Sequence, residues 1–218
     1  MRFLITAGPT RETIDPVRYL SNRSSGKMGY AIADAAIDAG HEVILISAPV
    51  NLDPARGVEL ISASTSDEMF DAVHERLRDC DVLVMCAAVA DYKPKQVSKM
   101  KIKKRDANLS LELIPTRDIL ASLPKQDRQF LVVGFAAETE NVEANAQQKL
   151  QEKNCDIVVA NDVSRADSGM ESDENEVAIL FRGGEKKKIS RASKRIVARE
   201  LIKIFENVCG KRLTKKIA

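Results

Sequence analysis

Residues 81–90 read DVLVMCAAVA and residues 130–138 read FLVVGFAAE. Both runs are almost wholly apolar, where a strand with one solvated face would alternate apolar and polar positions. A strand without a polar side is buried on both faces, and such sheets are built from parallel strands joined by helical crossovers. The two runs therefore predict the centre of a doubly wound, mostly parallel sheet.

Upstream, short apolar runs alternate with segments of helical period: Phe3 to Thr6, Met28 to Ala39, Val43 to Ile46, Met69 to Leu77 and Val82 to Cys86, a βαβαβ order. Gly40 suits the left-handed residue that closes a helix, and Thr65 with Glu68 three positions later forms a capping-box pattern. After Asp91 the chain turns basic and loses its period in YKPKQVSKMKIKKRD, which reads as a flap over about 92–108. LSLELI then reads as a strand, and the alternation resumes with DILASL, FLVVGF, a helix over Glu140 to Lys153 with Val142, Ala146 and Leu150 on one stripe, and DIVVAN. EVAILF and a basic strand flank Gly183-Gly184, a hairpin signal. A last helix carries Ile196, Val197, Leu201, Ile204 and Phe205, and its basic tail, about 210–218, is expected to fray. The expected architecture is α/β, a Rossmann-like doubly wound, mostly parallel sheet with a flap and a C-terminal antiparallel extension. No internal repeat or linker divides it, so residues 1–218 are expected to form a single domain.

Composition narrows the function. Hydrophobic residues make up 44% and charged residues 30% of 218 residues, enough to bury a large core without staples. Lys and Arg number 34 against 32 Asp and Glu, and aromatics are 4%, which argues against a nucleic-acid partner. Cys80, Cys86, Cys155 and Cys209 show no C-x-x-C pairing and read as free thiols of a reducing compartment. The start, MRFLITAGPT, is too short for a signal-peptide core, and about 18 consecutive apolar residues occur nowhere, so a cytoplasmic protein with no membrane partner is expected. His41 and His74 stand far apart without neighbouring ligands and read as surface residues; metal ligands stay unassigned.

In open parallel sheets ligands bind beyond the carboxyl ends of the strands. The first strand is followed by a long stretch, Ala7 to Gly29, without helical or strand period, and such loops are usually functional. Gly8, Gly26 and Gly29 allow close backbone approach, Asn22, Ser24 and Ser25 supply hydrogen-bonding groups, and Lys27 stands where a helix begins. The set suits an anionic ligand; a plain turn-rich loop whose Asn and Ser cap the helix is the alternative. Neither the dinucleotide pattern G-x-G-x-x-G nor the P-loop pattern is present, so ordinary NAD binding and a Walker-type ATPase are disfavoured.

GPTRETIDPVRYLSNRSSGKMG, CAAVADY, MKIKK, GFAAET and ANDVS, in this order, resemble bacterial phosphopantothenoylcysteine synthetase over nearly the whole chain. With Met1 directly before the first strand, the chain is expected to be the synthetase half of a protein often fused to a flavin-dependent decarboxylase. The resemblance implies a ligase for coenzyme A biosynthesis that uses CTP and Mg2+ to join 4′-phosphopantothenate to cysteine through an acyl-cytidylate. It also implies a homodimer and association with the decarboxylase. The ATP-using form of the ligase and a non-catalytic nucleotide-binding module are the alternatives.

By the same resemblance, Asn22 holds the acyl-cytidylate and Lys101 is the flap lysine beside the α-phosphate; read without it, Asn22 is a helix cap and Lys101 part of a solvated charge run. Asp91 contacts the nucleotide, while Ala87 and Ala88 leave room for a ligand, or merely for helix packing. Thr116, Arg117, Asp118, Ile119 and Phe135 surround the base, although TRDI stands where an asparagine-proline is common in the family. Lys149 and Lys153, four apart on one helix face, meet the phosphate chain; alone, such a pair repels, or is a solvated face. The residues themselves offer only the antiparallel edge near Val177 to Phe181 as a candidate interface between copies.

Overall fold

A computed structural model of the chain describes residues 1–104, 108–164 and 172–217, with side chains described through residue 210. One large sheet has the strand order β12-β11-β10-β9-β6-β1-β4-β5. Its parallel part comprises β1 (Arg2–Ala7), β4 (Glu42–Ser47), β5 (Val58–Ser62), β6 (Val82–Met85), β9 (Leu131–Glu138) and β10 (Ile157–Asp162). Ile5 stands opposite Leu45 on one side and Val84 on the other, and Val133 lies between Val84 and Ile157. The antiparallel extension comprises β11 (Glu174–Phe181) and β12 (Lys186–Ser193), joined through Gly183-Gly184 with Gly184 at φ 88°. The expected α/β architecture is the observed one.

Successive residues point to opposite faces, so Phe3, Ile5, Val82 and Val84 fall in one core while Leu4, Leu83 and Met85 fall in the other. The first core is covered by α1 (Lys27–Asp38) and α4 (Lys194–Ile217), the second by α2 (Ser66–Arg76) and α3 (Val142–Glu152). Burial on both sides explains why the central strands lack polar alternation. Helix α1 ends as expected, with Gly40 left-handed at φ 80° and its N–H donating to Ile37 O. Helix α2 carries the full capping box: Thr65 Oγ1 accepts from Glu68 N at 3.2 Å and Glu68 Oε2 from Thr65 N at 3.2 Å.

Several expectations are corrected. The stretch between β1 and α1 holds a hairpin, β2 (Arg11–Thr13) with β3 (Tyr19–Ser21), too short to show a period. LSLELI contributes only β8 (Leu113–Pro115), paired with β7 (Tyr92–Pro94) at the root of the flap. DILASL is turn structure in which Ile119 and Leu123 plug the second core. Strand β5, unread in the sequence, is a sheet edge whose half-exposed residues give no apolar run. The antiparallel edge is β12, since β11 is paired on both sides; Val177 to Phe181 therefore offers no free edge to a second copy. Ile196 points outward at 52% exposure, and Val197, Ala198 and Leu201 make the buried face of α4 instead. Backbone is helical through Ile217, so fraying over 210–218 stays an expectation; Ala218, and residues 105–107 of the flap, lie outside the described residues.

Candidate functional site

The chain leaves β1 toward β4 and β5 and later returns with β6 on the other side of β1. The strand order thus reverses between β1 and β6, and a crevice opens at their carboxyl ends. The loops there are stitched together by two fully buried threonines: Thr6 Oγ1 accepts from Ala87 N at 3.1 Å and Thr10 Oγ1 from Ala90 N at 2.9 Å. Ala88 N donates to Gly8 O and Thr10 N to Ala88 O, so the turn of Ala87 to Ala90 is fixed by its own backbone.

Two cavities flank that turn. One, of about 290 Å³, is lined by Asn22, Ser24, Ser25, Gly26, Lys27, Ala87, Ala88 and Asp91, together with Cys86, Asn161, Asn175 and Lys194. The other, of about 420 Å³, is lined by Asp91, Thr116, Arg117, Asp118, Ile119, Phe135, Lys149 and Lys153. Ala87, Val89, Asp91, Phe135 and Lys149 belong to both, so the two spaces meet beside Asp91. Of the residues singled out from sequence, Gly8 and Lys101 line neither. Gly8 lies behind Gly26, and Lys101 is exposed on the flap, whose next residue is tied down through Ile102 N to Asp15 Oδ2 at 3.1 Å and Ile102 O to Arg18 Nη2 at 2.6 Å. The Arg18 guanidinium in turn holds the Asp15 carboxyl well below the usual carboxylate range.

In the smaller cavity the N-cap of α1 is Gly26, left-handed at φ 76° and without a side-chain cap. The capping reading of Asn22 therefore fails: its Nδ2 donates instead to Ala88 O at 3.0 Å, and Ser24 Oγ accepts from Gly26 N at 3.3 Å. A helix start, whose first amides have no acceptor within the helix itself, beside glycines and a lysine is suited to an anion. Gly29 lets α1 press on β1, since a Cβ there would stand 2.6 Å from Ala7 Cβ and 3.1 Å from Thr6 O.

In the larger cavity Lys149 is pushed below the ordinary lysine range by burial, and its Nζ donates to Phe135 O at 2.6 Å. Lys153 Nζ pairs with Asp118 Oδ2 at 2.5 Å, which raises the ammonium; against its own burial, that hydrogen bond holds the Asp118 carboxyl down. The mutual repulsion of the two lysines is thus met by a carbonyl and a carboxylate. Thr116 is fixed by its N–H to Asp91 O at 2.9 Å and its Oγ1 to Ala90 O at 2.6 Å. The guanidinium of Arg117 is engaged with α2, bonding Asp67 and Asp71.

Three lining residues with hydrogen-bonding or charged side chains escaped the sequence reading. Asn161 is the last but one residue of β10, inside ANDVS, and its place near the strand end alone was a signal for it. Asn175 had a clearer one: it shares the buried face of β11 with Val177 and Ile179, a polar residue at a core-facing position. It is 3% exposed, and its Oδ1 has no hydrogen-bond partner among the described residues. Lys194, 7% exposed and pushed below the ordinary lysine range by burial, was masked by a run of solvated charge. Burial pushes the thiol of Cys86 up to about 12, which disfavours the thiolate. Among the described residues no group of three or more His, Cys, Asp or Glu side chains is placed to hold a metal ion, and no helix is long and apolar enough to cross a membrane.

Residues 1–208 match the family model described as DNA/pantothenate metabolism flavoprotein C-terminal domain. The coenzyme A biosynthesis bifunctional protein CoaBC of Bacillus subtilis is 46% identical over 91% of this chain and 49% of its own length. The CoaBC protein of Escherichia coli K12 is 44% identical over 85% of this chain and 47% of its own length. The chain spans about half the length of these relatives. The crystal structure of the C-terminal domain of a CoaBC protein superposes with a TM-score of 0.82 at 42% identity, covering 96% of each chain. A Cab2 mutant in complex with phosphopantothenate-cysteine, 17% identical, shares the fold with a TM-score of 0.82 over 100% of this chain and 89% of its own.

Proposed function

The chain belongs to the family described as DNA/pantothenate metabolism flavoprotein C-terminal domain, and from that premise we propose that it is a phosphopantothenate-cysteine ligase of coenzyme A biosynthesis that uses CTP. The observation that carries the reading is the meeting of two cavities beside Asp91, one edged by an anion-ready helix start and the other by two lysines. An acid substrate in the first and a nucleoside triphosphate in the second would place a carboxylate against an α-phosphate.

A carboxylate is a poor acyl donor, so the reaction is divided in two. The carboxylate of 4′-phosphopantothenate attacks the α-phosphorus of CTP; the bond to the bridging oxygen breaks and pyrophosphate leaves with the electron pair. The cysteine amine then attacks the acyl carbon, CMP departs with the pair from the C–O bond, and the amine proton passes to solvent. No protein nucleophile is needed; positioned donors that stabilise developing charge are. In this reading Asn22 holds the acyl-cytidylate through its amide and Asp91 contacts the nucleotide. Lys149 and Lys153 exchange their internal partners for phosphate oxygens, and Thr116 to Ile119 with Phe135 enclose the base. Lys101 must come from the flap, which in a homodimer would serve a neighbouring site. Mg2+ would be carried by the triphosphate; the donor set fits, since the lining offers single carboxylates such as Asp91 and, among the described residues, no ready cage. Residues 1–218 would act as one domain, in the cytoplasm, free or joined to a decarboxylase.

The test is nucleotide-dependent pyrophosphate release with 4′-phosphopantothenate, with and without cysteine, comparing CTP, ATP, GTP and UTP. Release favouring CTP, with amide product only when cysteine is present, is expected. Preference for ATP would replace the nucleotide; nucleotide binding without any release would leave a binding module. Asn22→Asp, which loses the donor to Ala88 O, should release pyrophosphate yet form amide slowly, and Lys101→Gln should slow both steps.

A further inference from the structure

Arg117 lies between Thr116 and Asp118 in the segment that edges the larger cavity, yet its side chain runs the other way, across one turn of α2. Its Nε donates to Asp67 Oδ1 at 3.1 Å, Nη1 to Asp71 Oδ1 at 2.8 Å and Nη2 to Asp67 O at 3.0 Å. The guanidinium plane also covers the Phe70 ring at 4.0 Å. Asp67, Phe70 and Asp71 are spaced i, i+3, i+4 and so share one helix face, which the planar fork of an arginine spans and a lysine does not. The second oxygen of Asp67 is taken by Lys93 Nζ, from strand β7. Strand β7 leads into the flap, and its partner β8 leads out of it directly into Thr116. One carboxylate on α2 therefore grips the chain both before and after the flap. Helix α2 is itself held to the sheet by buried Met69 and Val73.

We propose that Asp67, with Arg117 and Lys93, is a latch that positions the nucleotide-edging segment 116–119 and the root of the flap against the sheet. Resting on the nucleotide reading of the larger cavity, it makes Arg117 a positioning residue that acts through α2. The Arg117 and Asp67 side chains are 44% and 40% exposed, so water screens the pair and its loss barely moves global stability. What the latch contributes is geometry: it adds a tie to α2 where the 116–119 segment is otherwise held at Thr116, at Asp118 through Lys153 Nζ and Ser122 N, and at the buried side chain of Ile119.

The experiment compares Arg117→Ala, Arg117→Lys, Asp67→Asn and the double variant R117A/D67N in the full chain. Amide exchange over 92–95 and 113–120, measured without ligand, should quicken in Arg117→Ala and in Asp67→Asn while exchange elsewhere holds. In turnover, KM for the nucleotide should rise about three- to tenfold in each single variant with kcat and the other two KM values nearly unchanged. Arg117→Lys should fall between, and the double variant should be no worse than either single one, since both break the same device. Unchanged exchange in Asp67→Asn would overturn the latch whether or not the protein turns over. A nucleotide effect confined to Arg117 would also overturn it, making that residue a direct phosphate ligand. Absence of pyrophosphate release by the wild-type chain, with exchange still responding, would sink the ligase reading and leave the latch standing.

Discussion

At the scale of single residues, the proposed nucleotide reading makes the present partners of the site's lysines stand-ins for phosphate oxygens. Lys149 makes the point sharply: burial lowers its pKa, and nearby Glu138, Asp91 and Cys155 only partly counter burial and Lys153. Below its folded pKa both folded and unfolded chains carry the proton and the cost of burying the charge is fully present. As pH rises from the folded value toward 10.5, the folded chain releases the proton first and stability rises. A bound triphosphate favours the charged form, so nucleotide affinity should move the opposite way and fall as pH rises, beginning below the usual lysine range. Titrating affinity from about pH 7 to about pH 10 checks this, and Lys149→Arg, which keeps its proton, should flatten the alkaline limb. An alkaline limb unchanged in Lys149→Arg would assign the titration elsewhere. The i,i+4 spacing put Lys149 and Lys153 on one helix face, and both line the larger cavity, though their phosphate role came only from the resemblance; the helix start was marked by its glycines. Lys194 was not, because a charge buried by distant chain looks the same in sequence as a charge in water. Arg117 was read only by its position in the segment; which way a long side chain turns depends on Asp67 and Asp71, some fifty residues earlier.

At the scale of elements, close contacts and caps decide where the loops stand. A methyl at Gly29 would strike Ala7 Cβ and Thr6 O, neither of which can swing aside, and α1 would have to lift from β1. Gly29→Ala should cost about 1–3 kcal/mol and shift the anion-ready helix start with it, seen as a lower Tm and a raised KM for the acid substrate. The Thr65 cap is a milder case: Thr65→Ala should cost about 1 kcal/mol, or about 2–4 °C in Tm, with KM values unaltered. These boundaries were legible because glycine, threonine and glutamate act through local backbone geometry. The β2–β3 hairpin and β5 were not legible. The hairpin is held by contacts outside itself, such as buried Glu12 accepting from Ser66 N at 2.8 Å, and β5 by pairing with β4 at a half-exposed edge. Such elements owe their shape to tertiary partners, so their sequences carry no period of their own.

Across the whole molecule, the two ends of the sheet have different tasks. At the carboxyl ends of the strands lie both cavities, built from a helix start, small residues and cations. At the amino ends of β9 and β10 lies a mostly buried pair, Arg128 Nη2 to Asp156 Oδ2 at 2.6 Å, and that oxygen also accepts from Val132 N at 2.8 Å. The Arg128 and Asp156 side chains are 3% and 15% exposed, so removing one partner strands the other charge where water reaches it poorly. Asp156→Ala should therefore cost about 3 kcal/mol and orphan an amide of β9 as well. Because the pair is at the far end of the same strands, KM and kcat measured well below the new Tm should match the wild type. Replacing both partners, Arg128→Met with Asp156→Asn, should recover part of the lost Tm, since no buried charge is left unpaired, Arg182 being half exposed, and asparagine can still accept from Val132 N. Thermal unfolding with turnover measured on the same samples decides it. A kinetic change in Asp156→Ala that the double variant does not reverse would mean that strain passes along β9 and β10 to Phe135 and Asn161, and that the two ends are not independent.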